Sequence, residues 1–149
     1  MYQLRREQIV HTDLKSCWEF FSSPKNLSRI TPKEMGFEIT SGVPASMYEG
    51  QIISYSVRPV LGIKLEWVTE IKSVRKEQYF VDEQRKGPYR LWHHEHFFEE
   101  TGEGVRMIDV VSYELPFGFL GRLVHRLFVR KKLESIFDYR LQQINQIFG

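Results

Sequence analysis

The pattern of hydrophobic and polar residues changes its period several times along this 149-residue chain. Tyr2 to His11 alternates as a strand does, and Asp13 to Phe21 then repeats its apolar residues three and four apart, as a helix does. Thr12 is the predicted N-cap of this helix. A serine followed by a proline at Ser23 opens a second short helix that ends near Ile30. The pattern therefore predicts one strand followed by two short helices.

After Met35 the alternation of a strand returns and continues to Pro116. Glycine and proline residues interrupt the alternation, so it divides into six further strands. Their short connections imply that neighbouring strands are antiparallel. The predicted strands are Phe37 to Thr40, Gln51 to Val57, Ile63 to Val74, Gln78 to Gln84, Arg90 to Glu99 and Val105 to Leu115.

From Leu120 onward hydrophobic residues recur three and four apart nearly to the C-terminus, which predicts a helix roughly 40 Å long. Its apolar stripe shifts by about a third of a turn near Arg130. A curved helix accounts for the shift, and so do two half-helices of which the first can lift as a lid over a cavity. The two groups are Leu120, Leu123, Val124, Leu127 and Phe128, and then Leu133, Ile136, Phe137, Leu141, Ile144 and Phe148.

Seven antiparallel strands and one long C-terminal helix predict an α+β fold in the order β-α-α-β6-α. A sheet of this kind must curve around the helix, and it can leave a cavity between the two. No linker or repeat divides the sequence, so residues 1–149 are predicted to form a single domain.

Composition and charge limit the possible partners and cellular compartment of the protein. The formal net charge is +2, from 21 basic and 19 acidic residues, which makes no general case for nucleic acid as a partner. Cys17 is the only cysteine, which excludes an internal disulfide and suits a reducing compartment. Charges occupy the N-terminus where a signal peptide needs an apolar run, and no apolar run approaches about 18 residues. We therefore expect a cytoplasmic protein.

The candidate chemistry lies on predicted strands that face the C-terminal helix. Alternation in LWHHEHFF places Trp92, His94, His96 and Phe98 on one face, and the two aromatic residues indicate that this face is interior. Buried polar groups without partners cost about 1–3 kcal/mol each, so we expect pairing, most simply of histidine with aspartate. The other polar residues predicted to face the interior are Asp82, Gln84, Asp109 and Tyr113.

Two interpretations of this polar interior stay open. The pairs could only satisfy one another and fix strand register, or they could orient the polar head of a ligand whose apolar body contacts aromatic walls. On the second interpretation the ligand-binding residues are Tyr55, Trp67, Phe80, Asp82, Gln84, Trp92, His94, His96, Asp109, Tyr113, Leu120 and Val124.

The same residues carry a resemblance to a known family. The chain resembles the bacterial ligand-binding group of the START-related lipid-transfer and polyketide-cyclase superfamily, SRPBCC, over essentially its whole length. The resemblance implies a helix-grip fold that binds a small, largely hydrophobic molecule with a polar head. The matching residues are Phe80, Asp82, Gln84, GPY at 87–89, Trp92, His94, His96, Asp109, Tyr113, Pro116, Gly118 and IFDYR at 136–140.

The resemblance does not decide between a binding protein and an enzyme, because cyclase relatives carry out chemistry in the same cavity. A cyclase- or dehydratase-like enzyme would use His94, Tyr113 and Asp109 for acid-base catalysis. A third possibility is a partner-binding module that uses the fold as a scaffold.

A metal site needs separate consideration. His94 and His96 with Asp109 or Asp82 could bind zinc, and His94, His96 and Asp109 are the set to test. The HHEH run lacks the i, i+4 spacing of helical zinc motifs, and no cysteine assists. We therefore expect neither a metal nor another cofactor.

Two further segments have ordinary and functional interpretations. The basic residues Arg122, Arg126 and Arg130 to Lys132 form a solvated helix face, or together with Phe117 and Phe119 they contact an anionic membrane surface. In the loop SGVPASMYEGQ at 41–51, Met47 and Tyr48 either cap the mouth of the cavity or fill the edge of the core.

Overall fold

The strands form one antiparallel sheet in the order β1-β7-β6-β5-β4-β3-β2. The structure is a computed structural model that describes residues 1–42, 46–59 and 62–149, so residues 43–45 of the predicted rim loop lie outside the described residues. The sheet curves around a long C-terminal helix, which confirms the predicted α+β helix-grip fold. The strands are β1 (Tyr2–Val10), β2 (Glu38–Ile39), β3 (Ile52–Val57), β4 (Leu65–Arg75), β5 (Tyr79–Lys86), β6 (Leu91–Thr101) and β7 (Gly104–Glu114).

The two short helices between β1 and β2 differ in detail from the prediction. Helix α1 (Leu14–Phe21) is capped by Asp13 rather than Thr12, because the Asp13 carboxylate accepts a hydrogen bond of 2.8 Å from the Ser16 amide. The second helix, Pro24–Ile30, is a 3₁₀ helix. An additional 3₁₀ turn, which the sequence pattern did not indicate, follows at Lys33–Met35.

The C-terminal helix is continuous but contains a π-helical segment. It consists of α2 (Gly118–Val124), the π segment His125–Val129, and α3 (Arg130–Phe148). The π segment lies where the apolar stripe shifts, and it separates two halves with different surroundings. In α3, Leu133, Phe137 and Ile144 are buried, whereas most apolar residues between Phe117 and Phe128 are exposed.

A row of inward-facing residues spaced by four explains the π segment. Gly121, His125 and Leu133 are buried, and Val129 between them is half-buried. In an α-helix of 3.6 residues per turn, a row spaced by four drifts around the axis by about 40° at each step. The wider turn of the π segment takes up part of this drift. The row therefore keeps facing the sheet along the first half of the helix.

The core lies between the inner face of the sheet and the helices. One buried cluster joins α1, β1, β5, β6, β7 and α3, and it includes Cys17, Trp18 and Phe98. A second joins β1, β7 and α3 through Leu4, Val111 and Leu133. Burial raises the pKa of Cys17 to about 12, so this thiol packs as a small apolar group and is a poor nucleophile. No helix in the described part of the chain is long and apolar enough to cross a membrane.

Strand register brings the polar candidates together. Asp82 pairs with His94 across β5 and β6, and His96 pairs with Asp109 across β6 and β7. Paired residues on neighbouring strands point to the same face, and so do residues two apart on one strand. Asp82, His94, His96 and Asp109 therefore form one polar cluster on the inner face of three adjacent strands.

Candidate functional site

A cavity of about 840 Å³ lies between the inner face of the sheet, the 3₁₀ helix Pro24–Ile30 and the C-terminal helix. Its walls are largely apolar and rich in aromatic rings. The sheet contributes Ile53, Tyr55, Val57, Trp67, Thr69, Ile71, Phe80, Asp82, Trp92, His94 and His96, and the C-terminal helix contributes Val124, Leu127, Phe128, Val129, Lys131, Lys132, Leu133, Ile136, Phe137 and Arg140.

The polar cluster on the sheet wall is held by two hydrogen bonds that run diagonally between strands. The Nε2 atom of His94 lies 2.8 Å from Oδ1 of Asp109, and the Nε2 atom of His96 lies 2.7 Å from Oδ2 of Asp82. The two imidazole rings stack with their centroids 3.7 Å apart. The Nδ1 atom of His96 is 3.1 Å from Oδ1 of Asp109, but its angle is unfavourable for a hydrogen bond.

Arg140 approaches the cluster from the helix. Its Nη1 atom is 4.0 Å from Oδ1 of Asp109, and its guanidinium lies against the rings of Phe137 and Phe21. The Nε atom is buried and has no hydrogen-bond partner among the described residues. Arg140 lines the cavity, and no hydrogen bond joins its Nη atoms to another described residue, so these atoms, and not the enclosed Nε, are the donors that it can offer to a group in the cavity.

The pKa values of the two histidines move in opposite directions. Burial lowers the pKa of His94, and the neighbouring His96 lowers it further. Burial by itself would also lower the pKa of His96, but the Asp109 and Asp82 carboxylates outweigh it and raise that pKa. His94 is therefore the ring that stays neutral, and His96 is the one that protonates more readily.

Both carboxylates stay ionised in spite of burial. Burial opposes the ionisation of Asp109, yet the charge of Arg140 and the hydrogen bond from His94 hold its pKa well below its usual range. Burial likewise opposes ionisation of Asp82, and the hydrogen bond and charge of His96 lower its pKa. When His96 is protonated, two carboxylates balance one imidazolium and one guanidinium. The cluster is neutral as a whole, although most of its members are charged.

This charge distribution makes His94 a hydrogen-bond acceptor on the sheet wall. A carboxylate can only accept hydrogen bonds, so the His94 nitrogen that faces Asp109 carries the proton. The other ring nitrogen of the neutral His94, Nδ1, is then an acceptor, and no hydrogen bond joins it to another described residue. The cavity therefore presents an acceptor at His94 and a donor at Arg140.

Eight of the twelve residues predicted to bind a ligand line the cavity: Tyr55, Trp67, Phe80, Asp82, Trp92, His94, His96 and Val124. The other four do not. Asp109 lies behind the two histidines, and both polar groups of the Gln84 amide bond the backbone of Tyr89. Leu120 is exposed on the helix.

Tyr113 also lies outside the cavity, because its hydroxyl group has a different partner. It is hydrogen-bonded to Nε2 of His125 at 2.8 Å, and the His125 ring stacks on Tyr2. Alternation correctly placed Tyr113 on the inner face of β7, but the partner comes from the C-terminal helix. Acid-base chemistry in the cavity would therefore have to use His94 without Tyr113.

Arg140, Tyr89 and Phe137 line the cavity and were not among the predicted binding residues. A signal for Arg140 was present, because it follows Ile136 by one helical turn on the inward side of the helix. The orientation of the Arg140 side chain toward the aspartates depends on how the helix packs against the sheet, and the hydrophobic periodicity of the sequence does not predict that packing.

Asp82, His94 and His96 could also hold a metal ion. They offer three ligand atoms that all lie within 4.8 Å of one another, so the third ligand is Asp82, one of the two alternatives from the sequence, and not the Asp109 of the set to test. Binding would require a protonated His96 to lose a proton, because a ligand nitrogen must be unprotonated. The neutral balance of the cluster works against a further dication.

Comparison with known proteins supports the fold. No protein-family model and no curated protein matches this sequence. Among solved structures, the chain is similar to protein TTHA0849 from Thermus thermophilus, at 17% identity and a TM-score of 0.67, covering 99% of this chain and 100% of that one.

Two further solved structures have the same fold. Protein CV1439 from Chromobacterium violaceum is 9% identical with a TM-score of 0.76, covering 99% of this chain and 98% of that one. Ara h 8.0201 is 13% identical with a TM-score of 0.63, covering 97% and 98%. At these identities the likeness establishes the helix-grip fold and leaves the function open.

Proposed function

We propose that this protein binds a small, largely hydrophobic molecule with a polar head in the cavity between the sheet and the C-terminal helix. The observation that carries the proposal is an apolar cavity of about 840 Å³ with one buried polar cluster on its wall. Ligand sites typically enclose about 300–1,000 Å³ and combine apolar walls with a few placed polar groups. The resemblance to the bacterial ligand-binding SRPBCC group supports the same function.

The polar head is expected to accept and donate a hydrogen bond. The Arg140 guanidinium offers a donor and neutral His94 an acceptor, while the pair of Asp82 and protonated His96 adds no net charge. A hydroxyl group can make both hydrogen bonds. A charged head group would find no net opposite charge in the cluster to compensate its burial. We therefore favour an alcohol or phenol over a carboxylate or an amine.

The apolar body of the ligand would lie among aromatic rings. Trp67 packs edge-on against Trp92 at a centroid distance of 5.3 Å and stacks on Tyr55 at 6.0 Å. Rings packed in this way form a rigid wall, which makes dispersion contacts with a bound ligand and excludes water. This wall favours a ligand with a flat or ring-containing body. The presence of a cavity also favours ligand binding over the alternative of a scaffold that binds partners only through its surface.

Native mass spectrometry of protein purified from its own host tests the proposal. We expect an additional small-molecule mass that disappears on denaturation. Replacing His94 with alanine removes the acceptor, so affinity for that molecule should fall by about tenfold. His93→Ala is the matched control, because His93 is the adjacent residue on the opposite face and bonds Glu83. Protein that stays free of small molecules, or equal affinities of the two variants, would contradict the proposal.

A further inference from the structure

The start of the C-terminal helix exposes an unusual amount of apolar surface. Seven of the twelve exposed large hydrophobic residues in the described part of the chain fall between positions 117 and 128. Phe117 is 82% exposed, Phe119 70% and Phe128 66%. Soluble surfaces rarely collect so many large apolar side chains in one place unless something covers them. We call these seven residues the apolar patch: Phe117, Phe119, Leu120, Leu123, Val124, Leu127 and Phe128.

The backbone holds the patch outward. Gly121 and His125 face the sheet, so Phe119 and Leu123, which lie about half a turn around the helix from Gly121, face away from it. Phe117 adopts the left-handed conformation, with a φ of 68°, and Gly118 follows with a φ of 49°. This conformation is disfavoured for a bulky side chain. It turns the chain from β7 into the helix and leaves the Phe117 ring in solvent.

Positive charge accompanies the patch. Between Pro116 and Lys132 there are five basic residues and no acidic one. Arg122 and Arg126 are exposed and one helical turn apart, so they form a basic row beside the apolar residues. Arg130 continues the row and is paired with Glu134 at 3.2 Å. An apolar face bordered by arginine and lysine is typical of helices that lie in a membrane interface.

We propose that the apolar patch docks on the surface of an anionic phospholipid bilayer. The phenylalanine and leucine side chains would enter the boundary between head groups and acyl chains, and Arg122 and Arg126 would contact lipid phosphates. Charge argues against a second copy of the chain, because a symmetric pairing of two patches would bring the same basic residues together. The same positive charge favours a partner whose surface is negatively charged.

The patch is continuous with the cavity. Val124, Leu127 and Phe128 are exposed, and they also line the cavity wall. When the patch docks on a bilayer, the part of the cavity wall that these three residues form is therefore placed against the lipid. The docking proposal does not rest on the proposed ligand, because it follows from the patch and its charge alone.

Co-sedimentation with lipid vesicles tests the docking proposal. The full-length protein is mixed with vesicles of phosphatidylcholine alone, or with about one-third phosphatidylglycerol added to supply negative charge. We expect sedimentation with the anionic vesicles and much less with the neutral ones. Phe119→Ser with Leu123→Ser should reduce the partition coefficient by about tenfold or more, since both side chains are exposed and neither lines the cavity. Arg122→Glu with Arg126→Glu should reduce it similarly.

Matched controls come from other exposed residues. Ile52→Ser with Ile63→Ser removes two exposed aliphatic side chains outside the patch. Arg75→Glu with Lys76→Glu reverses two charges at the β4–β5 turn, which strand register places at the opposite end of the sheet from Pro116. Both controls should bind as the wild type does.

Three results would overturn the docking proposal. One is a wild-type protein that stays in the supernatant with both kinds of vesicle. Another is equal loss of binding in the control variants. The third is a dimer in analytical ultracentrifugation that Phe119→Ser with Leu123→Ser dissociates, because the patch would then be a contact between two copies.

Discussion

His94 and His96 stack on one face of β6, and their different partners shift their pKa values in opposite directions. His94 faces one carboxylate and has a lowered pKa, whereas His96 lies between two carboxylates and has a raised pKa. Two like charges on stacked rings would repel in a site with little water. The arrangement avoids this repulsion by leaving one ring neutral. That neutral ring is the one that can serve as an acceptor in the cavity.

These pKa shifts predict how stability depends on pH. The unfolded histidines titrate near 6.5. Because the pKa of His94 is lowered, the unfolded state binds more protons below pH 6.5, and the free energy of unfolding falls as the solution becomes more acidic. Because the pKa of His96 is raised, its contribution is complete below pH 6.5 and is lost as pH rises through its folded value. The pair should therefore give a stability maximum near pH 6.5.

Urea unfolding at several pH values between about 5 and 8 measures this dependence. His94→Asn should flatten the acid limb, and His96→Asn should flatten the alkaline limb. Asp82 and Asp109 have lowered pKa values, so their contribution is complete above about pH 4 and does not vary in this range. The assigned pKa directions would be contradicted if His94→Asn changed the alkaline side of the stability curve and His96→Asn the acid side, or if neither substitution changed the curve.

At the scale of elements, the connection between β7 and α2 depends on a glycine. A Cβ atom at Gly121 would overlap the carbonyl oxygen of Pro116, which is backbone and cannot rotate away. Gly121→Ala should therefore destabilise the protein by about 1–3 kcal/mol, as measured by urea unfolding. Gly102→Ala is the control, since nothing lies within 4 Å of a Cβ there, and it should change stability by less than about 0.5 kcal/mol. Equal effects of the two substitutions would show that the turn can adjust.

Most elements could be predicted because their signals are local. Alternation and the glycine and proline breaks placed all seven strands close to their observed bounds, and helical spacing predicted α1 and the C-terminal helix. The 3₁₀ character of Pro24–Ile30 and the π segment could not be predicted in this way. The π segment depends on how the helix packs against the sheet, and a shift of the apolar stripe near Arg130 is its only trace in the sequence.

The site was less predictable than the fold, and Asp109 and Tyr113 show why. Alternation gives the face of the sheet on which a side chain lies, and it placed both residues inward. It does not give depth, so Asp109 was expected at the cavity surface although His94 and His96 stand in front of it. It also gives no partner from a distant element. The His125 that bonds Tyr113 and the Arg140 that approaches Asp109 both come from the C-terminal helix.

For the molecule as a whole, the C-terminal helix has two separable roles in our proposals. Its inward residues, including Phe137 and Arg140, close the cavity, and its exposed residues between 117 and 128 are the ones that we propose to face a membrane. Val124, Leu127 and Phe128 belong to both surfaces, so substitutions there would confuse the two roles. Residues that belong to one surface only can distinguish them.

A pair of variants should separate ligand binding from membrane docking. Phe119→Ser with Leu123→Ser changes only the outward surface, so this protein should co-purify with the same small molecule as the wild type and yet lose vesicle binding. His94→Ala changes only the cavity wall, so it should bind anionic vesicles normally and bind the small molecule about tenfold more weakly. Native mass spectrometry and vesicle co-sedimentation of both proteins provide the four measurements. If either variant lost both properties while still folded, ligand and membrane would have to share one surface, and the division between the two sides of the helix would be wrong.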